Sequence, residues 1–266
     1  MSWTLFKTNM KSNWGIFVFI VGMLMIYVST AIAMFDPESA TAMQAMFDML
    51  PEGMIKAFGF VGLGTNLTTY LAGYLYGFIL LVFPIIYISI VANNLIAKHV
   101  DRGSMSYILA TPNTRIKVAM TQALYLIISL TAMLSFMVGV LIGLSEAIFP
   151  GHLEIGRFLV LNMVTLFIIL AVSSISFLAS CIFSDSKASL AFGAGIPIAF
   201  VLFKMLADIS EKVDFFRYFS IYTLLNTDKV LNDNKYVMIV SLCLVLASAA
   251  LYSLGVIIFN KKSLAI

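Results

Sequence analysis

An all-α protein that crosses a membrane six times, with an interfacial helix at its N-terminus and both termini in the cytosol, is the fold this sequence predicts. Hydrophobic residues make up 61% of its 266 positions and charged residues only 11%, against about 25% charged in soluble domains. Charge-free runs long enough to span a bilayer recur along the whole chain, whose mean hydropathy is +1.02, so no stretch is left for a soluble catalytic domain. Basic residues gather in alternate connections, and that asymmetry sets the orientation.

Trp3, Phe6, Met10 and Trp14 fall on one helical stripe, and Lys7 and Lys11 on another face. The pattern predicts a helix lying at the membrane surface, with aromatic anchors and with lysines toward anionic headgroups. The plainer alternative is the polar start of the first span. No charge occurs from Ser12 to Phe35, which accommodates a span at about 14–35. The run lacks a small-x-small cleavage site and exceeds a signal core, so it is expected to be retained. In the outer segment 36–67, Asp36, Glu38, Asp48 and Glu52 face a single basic residue, Lys56, and Met43, Met46, Phe47 and Leu50 recur at helical spacing. A small amphipathic helix outside the membrane is expected there. Ala57 to Ala97 is then charge-free for roughly forty residues, about 60 Å as one helix. That is too long for one crossing and awkward for two. The cluster Gly59, Gly62, Gly64 and Asn66 breaks it, leaving a second span at about 68–97.

The loop 98–116 that follows holds the central charge cluster, Lys98, Asp101, Arg102 and Arg115, with Lys117 just beyond. Met105, Ile108 and Leu109 recur at helical spacing, which predicts a short amphipathic helix over 104–110. A residue before proline resists the α region, so that helix ends near Ala110; Thr111 then caps and Pro112 opens the next helix. Such a helix between two spans suits being gripped from the cytosol. The competing reading is a polar turn whose charges only orient the spans. Later spans are expected at about 117–145, 158–183, 188–203 and 236–259. The aromatic-rich outer segment 204–235 is read as surface helices rather than a free loop. Whole-chain size and composition make this a single transmembrane domain, 1–266.

With six spans and both ends inside, the inner segments carry Lys7, Lys11, Lys98, Arg102, Arg115, Lys117, Lys187, Lys261 and Lys262 against only Asp101 and Asp185, while the outer segments hold seven basic and eleven acidic residues. Basic residues are denser on the short inner loops, as orientation requires.

The sequence contains no G-x-x-x-x-G-K-[ST] loop, so the chain is not expected to bind and hydrolyse nucleotide in the P-loop manner. No Cys, His or carboxylate pair shows metal spacing, and no metal site or catalytic residue is expected. Cys181 and Cys243 sit in apolar runs and read as small buried hydrophobes. By these boundaries the spans contain no charge in their interiors, with Lys204 at an edge, which disfavours an ion-coupled carrier. Gly73-x-x-x-Gly77 and Gly139-x-x-x-Gly143 permit close helix approach, within the subunit in preference to a dimer. Asn93, Asn94, Ser173, Ser174, Ser176 and Ser180 are the polar positions that could line a path, although serine commonly bonds its own helix.

The run D-R-G-S-M-S-Y-I-L-A-T-P-N-T-R, Asp101 to Arg115, resembles the cytoplasmic loop of ABC-2 type transporter permeases, and I-F-N-K-K-S-L, Ile258 to Leu264, resembles their basic C-terminus. The six-span plan extends the resemblance over the chain; the acidic segment 36–56 departs from it. The resemblance implies a type V exporter-like permease subunit in the cell membrane. It would pair with an identical or related second chain and with two copies of a separate ATPase that holds the ATP and magnesium. It implies ATPase contacts through Asp101, Arg102, Gly103, Ser104, Met105, Tyr107, Ile108, Leu109, Pro112 and Arg115, with Met105, Ile108 and Leu109 as the inserted face. It also implies path-lining or dimer-facing roles for Gly73, Gly77, Asn93, Asn94, Gly193, Gly195 and Pro197. The cargo would be apolar or amphipathic: a drug, a lipid-like compound or a hydrophobic peptide. A non-transporting membrane scaffold or immunity component, and an ion-coupled carrier, stay open as alternatives. Nothing points to nucleic acid as a partner.

Overall fold

The computed structural model describes residues 1–35, 66–110, 113–209 and 211–263. The expected outer helix in 36–56, the glycine cluster at Gly59, Gly62 and Gly64, and the Thr111–Pro112 cap lie outside the described residues. Among the described residues, six helices are long and apolar enough to cross a membrane, and the chain is an all-α multi-pass membrane protein.

Helix α1 runs without a break over Trp3–Ala33. The stretch expected to form its own surface helix is therefore the start of the first long helix. At 1.5 Å per residue, α1 measures about 46 Å against a hydrocarbon core of about 30 Å. The excess is about three turns, and Lys7, Lys11 and the exposed Trp3 and Trp14 lie in the N-terminal part of α1. The aromatic stripe is divided: Phe6 packs edge-on against Tyr125 at 5.5 Å, while the Lys7 ammonium lies 5.4 Å from the Trp3 ring centre.

The second expected span is three helices. α2 covers Leu67–Tyr76 and α3 Ile79–Leu95. A bend at Ile96, where φ is −131° and ψ −65°, separates α3 from α4, Ala97–Asp101. Asn66 caps α2 by accepting from the Thr68 N–H. The break after α2 falls at Gly77, among the poorest helix formers, and Phe78 leaves the helical region at φ −139°. α5 is the short Met105–Leu109 helix. α6, Arg115–Ile148, begins two residues before the expected span at 117, and Thr114 supplies its cap to the Lys117 N–H at 3.2 Å.

After the turn at Gly151, α7 takes Ile155–Ile182 and α8 Ser186–Ile209. Lys204 and Asp208 thus belong to α8. The expectation that the fifth span stops short of Lys204 is corrected: both residues continue the helical register, one turn apart on one face, and their pairing removes the reason to end the helix there. Two 3₁₀ segments, Glu211–Phe219 and Ile221–Leu224, lead to α9, Thr227–Asn232, and α10, Asn234–Lys261.

α3 and α7 are the inner helices. Their most apolar stretches are 67% and 61% buried, against 28% in α1, α8 and α10. α10 lies along α7 so closely that a Cβ at Gly255 would come within 3.1 Å of the Phe177 ring. α8 crosses α7 at Gly193, where the Ser176 backbone lies 3.5 Å from an added Cβ. Cys181 is buried as expected; Cys243 is exposed, on the outward face of α10.

Candidate functional site

The two ends of the bundle carry different chemistry. At the end holding the 98–110 loop, Gly103 has φ +69°, a left-handed conformation that favours glycine, and it turns the chain from α4 into α5. Ser104 fixes the turn: its hydroxyl meets His99 Nδ1 at 2.9 Å and donates to the His99 carbonyl at 3.3 Å. The Ser106 hydroxyl donates to the Gly103 carbonyl at 2.6 Å. Met105 is 3% exposed, and Ile108 and Leu109 pack half-buried on the same core. The apolar face expected to insert into a partner therefore packs on the chain's own bundle, because a five-residue helix holds its place only by burying that face. Tyr107 is the side chain it presents outward, at 80% exposure. Asp101, Arg102 and Gly103 are exposed beside it, and Pro112 lies outside the described residues.

Behind this knob, neutral polar groups join the helices. Lys98 donates to Asn94 Oδ1 at 3.0 Å, Asn94 Nδ2 to Asn13 Oδ1 at 3.3 Å, and Asn13 Nδ2 to the Asn9 carbonyl at 3.0 Å. Asn9 in turn donates to Gln122 Oε1, which is fully buried. The chain of bonds links α4, α3, α1 and α6. Asn93 donates to Ser186 at the start of α8 at 2.8 Å, and the Ala97 N–H to Ser180 in α7 at 3.0 Å. Asn93 and Asn94 thus tie helices together. Arg115 donates to the Lys262 carbonyl at 2.7 Å, and Lys262 Nζ to the Cys181 and Phe183 carbonyls that end α7, at 3.1 and 2.8 Å. Arg115 is accordingly a clamp between α6 and the residue that follows α10. Burial lowers the Lys262 amine below its ordinary value, with the nearby Cys181 acting weakly the other way.

The path-lining expectations fare unevenly. Gly73 is buried in α2, and Gly77 sits half-buried at the break. Gly193 and Pro197 are buried on the α7-facing side of α8, whereas Gly195 is exposed with open space beside it. Gly139 and Gly143 are also exposed, and a Cβ there would meet nothing within 4 Å; packing inside the subunit is not their use. All four serines of α7 are buried. Ser174 bonds its own helix at 2.6 Å, as expected of serine. Ser173 reaches Tyr252 at 2.6 Å, Ser176 donates to the Gly193 carbonyl at 2.6 Å, and Ser180 accepts from α4. Three of them therefore fasten α7 to its neighbours.

At the opposite end, a cavity of about 820 Å³ opens between the α2–α3 break, α8, the 3₁₀ segments, α9 and the start of α10. The Asn66 amide donates to Glu154 at 2.7 Å and Tyr76 to Asn162 at 2.6 Å, pinning α2 to the start of α7. Lys204, 8% exposed, donates to the Gly77 carbonyl at 3.3 Å and to Asp208 at 3.1 Å. A helix break inside an apolar bundle frees carbonyls that must be satisfied; a lysine from another helix satisfies this one. Arg217 approaches the other Asp208 oxygen at 3.9 Å and holds Asp214 at 3.1 Å. Tyr222, between the lining residues Ile221 and Thr223, is buried at 1% exposure, and burial raises its hydroxyl well above the usual value, so it stays neutral. Sequence reasoning missed this site. Its signal was the i, i+4 pair Lys204 and Asp208 directly following an apolar run.

Six long apolar helices, four of them around a buried inner pair, with a structured loop at one end and a cavity at the other, define a polytopic α-helical membrane protein. The ABC-2 family transporter protein model matches residues 6–264. The chain belongs to that family. No curated protein and no solved structure matches it.

Proposed function

We propose that the chain is the membrane-spanning subunit of an exporter in the cell membrane, moving an amphipathic substrate outward with ATP hydrolysed by a separate cytosolic ATPase, two permease chains working with two ATPase copies. The observation that carries this reading is the knob formed by α4, Gly103 and α5. Its apolar face packs on the bundle core and its outward face, centred on Tyr107 with Asp101 and Arg102, is exposed. A projection anchored in the bundle transmits force; a free polar turn does not.

Closure of the ATPases would push on the knob. The push passes through α4 to α3 by backbone continuity, and to α7 and α1 through Ala97–Ser180 and the Lys98–Asn94–Asn13 bonds. α3 then tilts against the Gly77–Phe78 break, whose carbonyl is held by Lys204 of α8. Motion at one end is thereby geared to the cavity at the other. Lys204 and Asp208 on a long apolar helix favour one second reading, an ion-coupled carrier, because ionisable groups in such helices commonly mark ion pathways. Reconstituted vesicles separate the two. Export that needs ATP and the ATPase and persists without ion gradients supports the exporter; uptake or efflux driven by a proton or sodium gradient with no ATPase present contradicts it.

A further inference from the structure

We propose that the cavity opposite the knob binds the acidic headgroup of an amphiphile, a carboxylate or phosphate carried on an apolar chain, between Lys204 and Arg217 at the place Asp208 now occupies. This rests on the exporter reading and deepens it by naming the substrate class, with Lys204, expected only at the edge of a span, as part of the site.

Three features carry it. First, two cations converge on opposite oxygens of one carboxylate: Lys204 at 3.1 Å from Oδ2 and Arg217 at 3.9 Å from Oδ1 of Asp208. Asp208 thus stands as an intramolecular copy of an anionic ligand. The longer of the two contacts, to a guanidinium that is 50% exposed, is the one an incoming anion replaces most readily. Lys204 keeps the Gly77 carbonyl as a partner whichever anion it holds. Second, Phe200, Lys204 and Asp208 stand one turn apart on one face of α8 and all line the cavity. That face runs from apolar to cationic to acidic toward the helix end, the order in which an amphiphile would lie with its chain pointing into the bundle and its head at the rim. Third, the cavity volume of about 820 Å³ lies within the range of ligand sites, and Tyr76, Phe219 and Tyr236 give it apolar wall as well as charge. The lining cations Lys204, Arg217 and Lys229 outnumber the lining acids Asp208 and Asp228, and Asp208 is the acid that the ligand displaces.

The test is thermal unfolding of the full chain in neutral maltoside micelles, titrated with dodecyl phosphate, dodecyltrimethylammonium or inorganic phosphate. Dodecyl phosphate should raise the unfolding midpoint saturably and the cationic amphiphile should not. Arg217→Ala should raise the half-saturating dodecyl phosphate concentration about tenfold, the loss of one charge-assisted hydrogen bond. Asp208→Asn should lower it, because the competing carboxylate is gone while the cations remain. A purely structural ion network has no means of moving those two variants in opposite directions. Equal responses to the anionic and cationic amphiphiles, or shifts of the same sign in the two variants, would overturn the proposal. Inorganic phosphate acting as tightly as dodecyl phosphate would overturn its amphiphile part. No ATPase takes part, so failure here leaves the coupling reading standing. A saturable site in a chain that captures no ATPase would instead remove the exporter reading and keep this one.

Discussion

The polar side chains at the knob end and those at the cavity end do opposite work. Around the knob, Asn9, Asn13, Asn94 and Gln122 are neutral, buried or half-buried, and bonded so that they tie α1, α3 and α6 together, with Lys98 adding α4. Around the cavity several groups are charged and border open space, and the second membrane helix is broken at Gly77. The difference matches the proposed exporter mechanism, in which one end carries displacement and the other changes shape. The Lys204–Gly77 contact is the point where the two meet.

The largest effect should come from removing that contact. Lys204→Met leaves Asp208 short of its buried partner and Gly77 without a donor, and is expected to destabilise the chain by about 3 kcal/mol. Adding Asp208→Leu should recover most of the loss, since replacing both members of a buried pair is far cheaper than removing one. Unfolding by SDS in mixed micelles measures both variants. If the double variant were no more stable than the single, the pair would not be what holds the break.

Much of this fold was legible in the sequence because lipid enforces a simple rule: apolar runs of spanning length must be helical. The six long helices and the short helix after the second span follow from runs and spacing, and the family from the resemblance of the Asp101–Arg115 loop. Three things were hidden. The continuity of α1 could not be read, since an aromatic stripe with lysines looks the same on a surface helix and on the projecting end of a span. The face of α5 was inverted, because periodicity shows that Met105, Ile108 and Leu109 share a side but not whether that side meets the chain's own core or a partner. The cavity depends on Lys204 of α8 reaching the α2–α3 break, a long-range contact that no local pattern encodes.

Between the ends, Gly255→Ala sets a scale. Its Cβ would meet the Phe177 ring at 3.1 Å, and overpacking of this kind costs about 1–3 kcal/mol. Gly193→Ala, with its nearest neighbour at 3.5 Å, should cost less, and the same SDS titration would show it. A smaller effect is expected at the knob end from Asn13→Leu, which loses bonds to Asn94 and Asn9. Interhelical bonds in membranes are worth about 0.5–2 kcal/mol. Its distinguishing result is functional: ATP turnover should persist while export per ATP falls, because the knob no longer carries α1 with it.

The smallest effect is a pH dependence. Burial depresses the Lys262 amine in the folded chain below the ordinary lysine value of 10.5. Between the folded and unfolded values the unfolded chain binds more protons, so stability rises with pH through that window. Below the folded value both states are charged and this dependence vanishes. The difference in unfolding midpoint between the wild type and Lys262→Gln, followed from pH 7 to pH 10.5, should therefore change in favour of the wild type. A flat difference would mean that the amine is not held in a desolvated place.

The central claim, that the outward face of the knob is where force enters, is tested most directly at Tyr107. It is 80% exposed, so Tyr107→Asp leaves the packing of α5 intact, unlike any change at Met105. With the permease co-expressed beside a candidate P-loop ATPase subunit, the proposal predicts that ATPase capture by Tyr107→Asp at matched membrane levels falls roughly thirtyfold, the effect of a hot-spot residue of about 2 kcal/mol. Export should fall with it. Capture and export at wild-type levels would contradict the account and leave the loop as a turn that only orients the helices.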